Sequence, residues 1–185
     1  MVIKALSDDD PVLQRSALHV VSLYRWNDAR RRLIEMLRSP SPHIQRLSAE
    51  ALGRLGNADA DSVAALMSVA DRAQEDRTLR HAIVLALIEL DAGAQMRSLL
   101  DNRSTGQRWT AMLVLAELDQ LASSDIGFLF RSLREPNPQF RDDAVAILAA
   151  NPQLANEAQS HLEALWHSND NAMQDQLGAI AVAWR

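Results

Sequence analysis

Apolar and polar residues recur along the chain with the period of an α-helix, and one arrangement of apolar positions occurs six times. In one copy, apolar or small residues follow Ile44 at offsets of four, seven, eight and eleven, which places them on one helical face. The same frame fits around six anchor residues, separated by 28 to 35 residues: Leu13, Ile44, Leu79, Gln107, Phe140 and Met173. The regular spacing predicts a repeated helical unit.

The position three residues before each anchor predicts where the helix of that copy begins. It is occupied by Asp10, Ser41, Asp76, Ser104, Asn137 and Asp170. All six are residue types whose side-chain oxygen can accept a hydrogen bond from a free backbone N–H at a helix N-terminus. Proline follows the cap in three copies, at the first helical position that tolerates it: Pro11, Pro42 and Pro138.

Shorter amphipathic segments precede most of these helices, so each unit is predicted to be a helical hairpin. The segments are 29–37, 62–73, 94–100, 125–133 and 157–166. The prediction is an all-α fold, a right-handed α-α superhelix of about six hairpins within a single array, 1–185, whose units begin near residues 1, 26, 59, 93, 122 and 154. A compact helical bundle is the alternative architecture.

The second hairpin resembles the HEAT-repeat family, in its bacterial HEAT-like form. The resemblance is carried by Pro42, Ile44, Gln45 and the run ALGRLG at 51–56. HEAT repeats commonly place arginine after the anchor, and here three copies have arginine and three have glutamine: Gln14, Gln45, Arg80, Arg108, Arg141 and Gln174. The resemblance covers nearly the whole chain and implies a superhelix that holds partners, without implying one activity.

A narrower likeness concerns residues 76–90 and 108–121. They resemble the HEAT segment of multidomain bacterial haem-binding proteins, which also carry a propeller and a c-type haem segment. The chain has no cysteine and therefore no CxxCH motif, so only the HEAT part would be present. That likeness would imply an extracytoplasmic location; otherwise the expected location is cytoplasmic.

Composition narrows the possible functions. Of the 185 residues, 48% are hydrophobic but only 4% aromatic, with Ala and Leu dominant, which favours helices. The net charge of −5 argues against non-specific DNA binding. Neither a disulfide nor a thiolate metal site can form without cysteine. No apolar run is long enough to span a membrane.

No catalytic or metal-binding pattern emerges from the sequence, so we expect no catalytic set, no cofactor and no metal. The five histidines are not paired at helical spacing for zinc: His19, His43, His81, His161 and His167. Neighbouring acids such as Asp142 and Asp143 lie near predicted helix starts, where negative charge is favourable.

One basic stretch, 25–54, has seven arginines against three acidic residues. The stretch could meet an acidic partner or a phosphate, or it could be the solvated outer face of a first helix. A nucleic-acid platform would need interleaved aromatic residues, and only Trp26 is near.

Offsets two and six of the second helices are expected to line the partner-binding side of the array. The candidate binding residues are Arg15, His19, Arg46, Glu50, His81, Leu85, Trp109 and Leu113. Trp109, Leu85 and Leu113 would form an exposed apolar centre flanked by basic side chains, although these three could instead pack against their neighbours.

The leading functional prediction is a non-catalytic HEAT-repeat scaffold that binds a protein or peptide, or spaces flanking domains of a longer chain. The alternatives are a HEAT-like enzyme of lyase or glycosylase type, with Trp109 and Asp142 as candidates, and a nucleic-acid module using the arginines at 25–54. Because Trp184 occupies a core column at the last turn, we also expect a fragment of a longer protein, or self-association through open ends.

Overall fold

The fold is built from helical hairpins throughout the part of the chain that the structure describes. The structure is a computed structural model that describes residues 2–166 and 171–184, apart from the side chains of 171 and 172. It is 75% helical, with twelve α-helices and no strand among the described residues. Two compact units are present, the N-terminal unit Met1–Asp119 and the C-terminal unit Gln120–Arg185.

The N-terminal unit holds four pairs of helices. They are α1 (Val2–Ala5), α2 (Pro11–Tyr24), α3 (Arg30–Met36), α4 (Pro42–Arg54), α5 (Ala60–Ala70), α6 (Arg77–Glu89), α7 (Gly93–Arg97) and α8 (Thr105–Glu117). The even-numbered second helices pack in succession, α2 on α4, α4 on α6 and α6 on α8. Among the first helices, α3 packs on α5.

The C-terminal unit repeats the pattern with two pairs. They are α9 (Ile126–Ser132), α10 (Pro138–Ala150), α11 (Ala155–Trp166) and α12 (Asn171–Ala183). Here α10 packs on α12 and α9 on α11. The indole N–H of Trp184 donates to the carbonyl of Leu148 at 2.7 Å, so this half-buried side chain lies against α10.

Five of the six predicted caps accept a backbone N–H at the start of a second helix; Asp170 and His167 lie outside the described residues. The acceptors and distances are Asp10 to Val12 at 2.8 Å, Ser41 to Ile44 at 3.5 Å, Asp76 to Leu79 at 3.0 Å, Ser104 to Gln107 at 3.1 Å and Asn137 to Gln139 at 2.9 Å. The predicted starts of these helices are therefore confirmed.

The residue after each anchor has a structural task that its position in the repeat did not reveal. In the first five units its side chain donates to the backbone carbonyl six residues earlier, at the turn between the two helices. The bonds are Gln14 to Asp8 (2.7 Å), Gln45 to Ser39 (2.7 Å), Arg80 to Gln74 (3.0 Å), Arg108 to Asn102 (2.9 Å) and Arg141 to Glu135 (2.7 Å). These bonds satisfy carbonyls in the turn and fix it to the second helix.

The apolar columns at offsets seven and eight form the core of the repeats. All twelve members are buried except Val20 and Ala181, which are half-buried. The repeated pattern of caps, turn hydrogen bonds and core columns confirms the all-α repeat fold.

Candidate functional site

The second helices of the N-terminal unit carry a row of accessible side chains at offsets two and six. We call this surface the second-helix face; its members are Arg15, His19, Arg46, Glu50, His81, Leu85 and Leu113. Arg15, His19, His81 and Leu85 are exposed, and the other three are half-buried. Because α2, α4 and α6 pack in succession, equivalent offsets on these helices lie side by side.

On α2 the second-helix face continues into exposed aliphatic residues. Val12 and Leu23 stand in the same helical row as Arg15 and His19, and their exposed fractions are 56% and 66%. With Leu85, at 36%, they provide apolar contact area between polar side chains. Sequence reasoning missed Val12 and Leu23, although the i, i+3, i+7 and i+11 spacing could have identified them.

The polar members of the face differ in how far they are already engaged. Arg46 lies 3.4 Å from Glu50 and 3.2 Å from the Nδ1 atom of His43. Arg15 donates through Nε to the carbonyl of Pro11 in its own helix at 3.2 Å. Within the part of the chain that the structure describes, His19 and His81 form no hydrogen bond or ion pair. These groups can therefore bond a partner without first breaking an internal contact.

Trp109 does not belong to this accessible surface, so its predicted role as an exposed aromatic anchor is wrong. Its side chain is 0% exposed. The guanidinium of Arg80, itself only 7% exposed, lies over the indole ring at 3.8 Å from the ring centroid. An exposed apolar centre therefore does not form around Trp109, and Leu113 beside it is half-buried.

The physical reason is that α8 holds the Trp109 side chain against α6, where Arg80 covers the indole ring. Helix α8 packs against α5, α6 and α7, and its buried residues include Gly106, Trp109, Thr110 and Met112. The run from Trp109 to Ala116 contains no charged residue, and a helix that is apolar around its circumference is usually buried.

Most arginines of the basic stretch at 25–54 have acidic neighbours. Five of the seven lie in ion pairs: Arg30 with Asp59, Arg31 and Arg32 with Glu35, Arg46 with Glu50 and Arg54 with Glu89. The positive charge of the stretch is thus offset locally, although exposed pairs of this kind contribute little to stability. A uniform basic track for a phosphate backbone is not formed.

Arg30 is the centre of a hydrogen-bond network that joins α3 to the start of α5. Its guanidinium contacts Asp59, donates to Ser62 Oγ at 3.1 Å, and donates to the carbonyl of Gly56 at 2.9 Å. Burial alone would raise the pKa of Asp59, but hydrogen bonds from Ser62 and the charge of Arg30 outweigh it and lower that pKa. The carboxylate therefore stays ionised and caps α5 through the Ser62 N–H at 2.9 Å.

This network predicts a specific acid sensitivity. A carboxyl whose folded-state pKa is lowered stabilises the fold above its unfolded pKa of about 3.9, and that contribution disappears as pH falls through the folded value. Asp59→Asn keeps a cap acceptor but removes the charge, so it should lower the free energy of unfolding at pH 7 by about 1 kcal/mol. Urea unfolding at pH 7 and at pH 3 should show the difference between wild type and variant shrinking at the lower pH. An unchanged difference would contradict the role of the Asp59 charge.

The histidine and acidic side chains do not cluster into a metal site within the described ranges. Among residues 2–166 and 171–184, no three His, Asp or Glu side chains are arranged to hold a metal ion. His161 stacks on Phe130 with ring centroids 5.2 Å apart, and Asp142 is exposed on α10. Nor is any helix within those ranges both long and apolar enough to cross a membrane.

The stacked, capped hairpins define the class of this chain as an all-α helical repeat protein. Residues 1–88 match the family model of HEAT repeats, which confirms the resemblance drawn from the sequence over that range. None of the curated proteins matches the chain.

Two solved structures illustrate the fold. A designed armadillo repeat protein in complex with the peptide (KR)4 is 16% identical, with a TM-score of 0.51 over 100% of this chain and 98% of that chain. The complex of CpcE and CpcF of phycocyanin lyase from Nostoc sp. PCC7120 contains a chain that is 24% identical, with a TM-score of 0.54 over 96% of this chain and 74% of that chain. At these identities the likeness establishes the architecture alone.

Proposed function

We propose that this chain is a non-catalytic HEAT-like repeat module that binds a protein or peptide on its second-helix face. The observation that carries the proposal is the row of accessible side chains on the consecutively packed helices α2, α4 and α6. In the core columns the chemistry repeats from unit to unit, whereas in this row it changes from Arg15 to Arg46 to His81. Surface residues that differ between units with the same core can recognise one particular partner.

The scaffold holds these side chains with little freedom to lose on binding. Each of the helices α2, α4 and α6 begins at a side-chain cap, and the residue after its anchor bonds a carbonyl of the preceding turn, as Gln45 does to Ser39. A surface presented by such helices costs little ordering entropy when a partner binds, so more of the contact energy appears as affinity.

The chemistry of the face indicates a partner segment that is acidic and apolar. Val12, Leu23 and Leu85 offer aliphatic contacts, and Arg15, with His19 and His81, offers hydrogen-bond donors or positive charge. In the designed armadillo repeat protein the bound peptide is the basic (KR)4. Here we expect carboxylates opposite Arg15, because unlike charges favour association and like charges oppose it.

The alternative to a binding module is an enzyme. The likeness to a chain of a phycocyanin lyase complex is the reason to consider a catalytic role. The sequence offers Trp109 and Asp142 as candidates for that role. Because Trp109 is buried, Asp142 is left without the aromatic partner that the hypothesis required. The ion pairs of the arginines at 25–54 likewise weaken the nucleic-acid alternative.

The test is a peptide selection followed by affinity measurements. Peptides selected from a random library against the full chain should be rich in acidic and apolar residues. Leu85→Glu and Arg15→Glu should each weaken the best of them at least tenfold in isothermal titration calorimetry, since central contacts contribute about 2 kcal/mol. Arg72→Glu, which reverses an exposed arginine in the turn after α5, is the matched control and should change the affinity less than twofold. Selected peptides that bind all three variants equally would overturn the proposal.

A further inference from the structure

A second surface of the N-terminal unit is formed by first helices only. A cavity of about 530 Å³ lies between α3 and α5, and we call it the first-helix groove. Its lining residues are Arg30, Arg31, Ile34, Arg38, Asp59, Asp61, Ala64, Ala65 and Ser68. A volume of this size is in the range of sites that accommodate a ligand or several side chains of a partner.

The α3 wall of the groove has an alternation of charge and apolar surface. Arg31 and Ile34 lie on α3, Arg38 lies in the turn that follows it, and all three line the groove. The side chain of Arg31 is 94% exposed and only loosely paired with Glu35, at 3.7 Å. Arg38 is exposed and has no ion pair with any residue that the structure describes. Two accessible positive charges therefore flank an aliphatic side chain.

The α5 wall is formed mainly by small side chains, which leaves room in the groove for side chains of a partner. Ala64, Ala65 and Ser68 present small groups to the groove, and Ala64 and Ser68 are exposed. Asp61 adds a negative charge to this wall, and Asp59 is held by Arg30 at one end. The groove thus has apolar surface at Ile34, Ala64 and Ala65, and its positive charge lies on α3 and in the turn after it.

We propose that the first-helix groove binds an amphipathic helix of a partner protein whose apolar side chain is flanked by two carboxylates about two turns apart. Arg31 lies on α3 and Arg38 in the turn two residues after it, and seven residues of helix span about 10 Å. Glutamates at positions i and i+7 of a partner helix have the same spacing, with leucine at i+3 or i+4 placed over Ile34 and Ala64. The charges also match in sign, because the two glutamates of the partner are negative and Arg31 and Arg38 are positive.

The groove fits a nucleic-acid strand poorly. Asp61 would repel a phosphate backbone, and none of the lining residues is aromatic, so bases would have no stacking partner. This binding site is separate from the second-helix face, and failure of either proposal leaves the other standing.

The probe for the test is a lactam-bridged helical peptide of 16 residues with Glu at i and i+7 and Leu at i+3 and i+4, labelled with fluorescein. Titration with the full chain should give saturable anisotropy with a dissociation constant of about 0.1 mM or tighter. The double variant Arg31→Glu/Arg38→Glu should bind at least tenfold more weakly, and a peptide with Lys in place of both Glu residues should regain affinity for it. Both arginines are exposed, so the variant should keep the wild-type circular dichroism spectrum.

Arg72→Glu serves as the control for charge reversal at an exposed arginine outside the groove, and it should bind the Glu peptide like the wild type. Three results would each overturn the proposal. They are no saturation at 1 mM protein, equal loss in the Arg72→Glu control, and tighter binding of a 12-nucleotide single-stranded DNA than of the Glu peptide.

Discussion

Replacement of Trp109 by alanine should lower the free energy of unfolding by about 3 to 5 kcal/mol, the cost typical of removing a large buried aromatic side chain. Trp109 is fully buried in α8, and the Arg80 guanidinium covers its ring at 3.8 Å. The substitution would leave a cavity and would also deprive a nearly buried cation of its aromatic neighbour. Urea unfolding monitored by far-UV circular dichroism would measure the loss.

His81→Ala is the matched control, because His81 occupies the same offset of the preceding second helix. Its side chain is exposed, so its replacement should change the free energy of unfolding by no more than about 0.5 kcal/mol. Equal changes in the free energy of unfolding for the two variants would mean that Trp109 is exposed and does not belong to the core.

Gly106→Ala should destabilise the N-terminal unit by about 3 kcal/mol, the upper part of the usual cost of overpacking. A Cβ atom at Gly106 would lie 2.5 Å from the carbonyl oxygen of Ala70 and 2.6 Å from the Cα of Asp71. Both are backbone atoms, so neither can move aside as a flexible side chain could. Asp71 also accepts hydrogen bonds from the Gly106 N–H at 3.0 Å and the Ser104 hydroxyl at 2.6 Å, which holds α8 against the end of α5.

Gly178 offers the opposite case within the same chain. It lies inside α12, and a Cβ atom there would meet nothing within 4 Å. Gly178→Ala should therefore raise the stability of its helix by about 0.5 to 1 kcal/mol through the better helix propensity of alanine. If Gly106→Ala left the free energy of unfolding unchanged or raised it, as expected for Gly178→Ala, that result would contradict the close approach of α8 to the end of α5.

The repeat architecture could be predicted from sequence because its determinants are local. A cap such as Asp76 bonds an N–H three residues later, and core columns such as Leu52 and Leu87 recur at fixed offsets within their own helices. Both signals lie within a few residues of each other along the chain. They therefore need no knowledge of how successive hairpins pack.

Contacts between hairpins could not be predicted in the same way. Gly106 looks like an ordinary residue of the first turn of α8 until Ala70, from another hairpin, is seen beside it. Trp109 has the same offset as exposed His81, but its ring lies under Arg80 of α6, a contact between hairpins that the periodicity of one helix does not show. The second-helix face on α2, α4 and α6 followed from periodicity, whereas the first-helix groove depends on the distance between α3 and α5.

The most direct test of binding on the second-helix face is a map of backbone ¹H–¹⁵N chemical shifts when a selected acidic, apolar peptide binds the isotopically labelled full chain. Binding on the second-helix face predicts that the largest shifts fall on α2, α4 and α6, around Arg15, His19, His81 and Leu85. Shifts confined to the C-terminal unit, or to first helices such as α3 and α5, would contradict it.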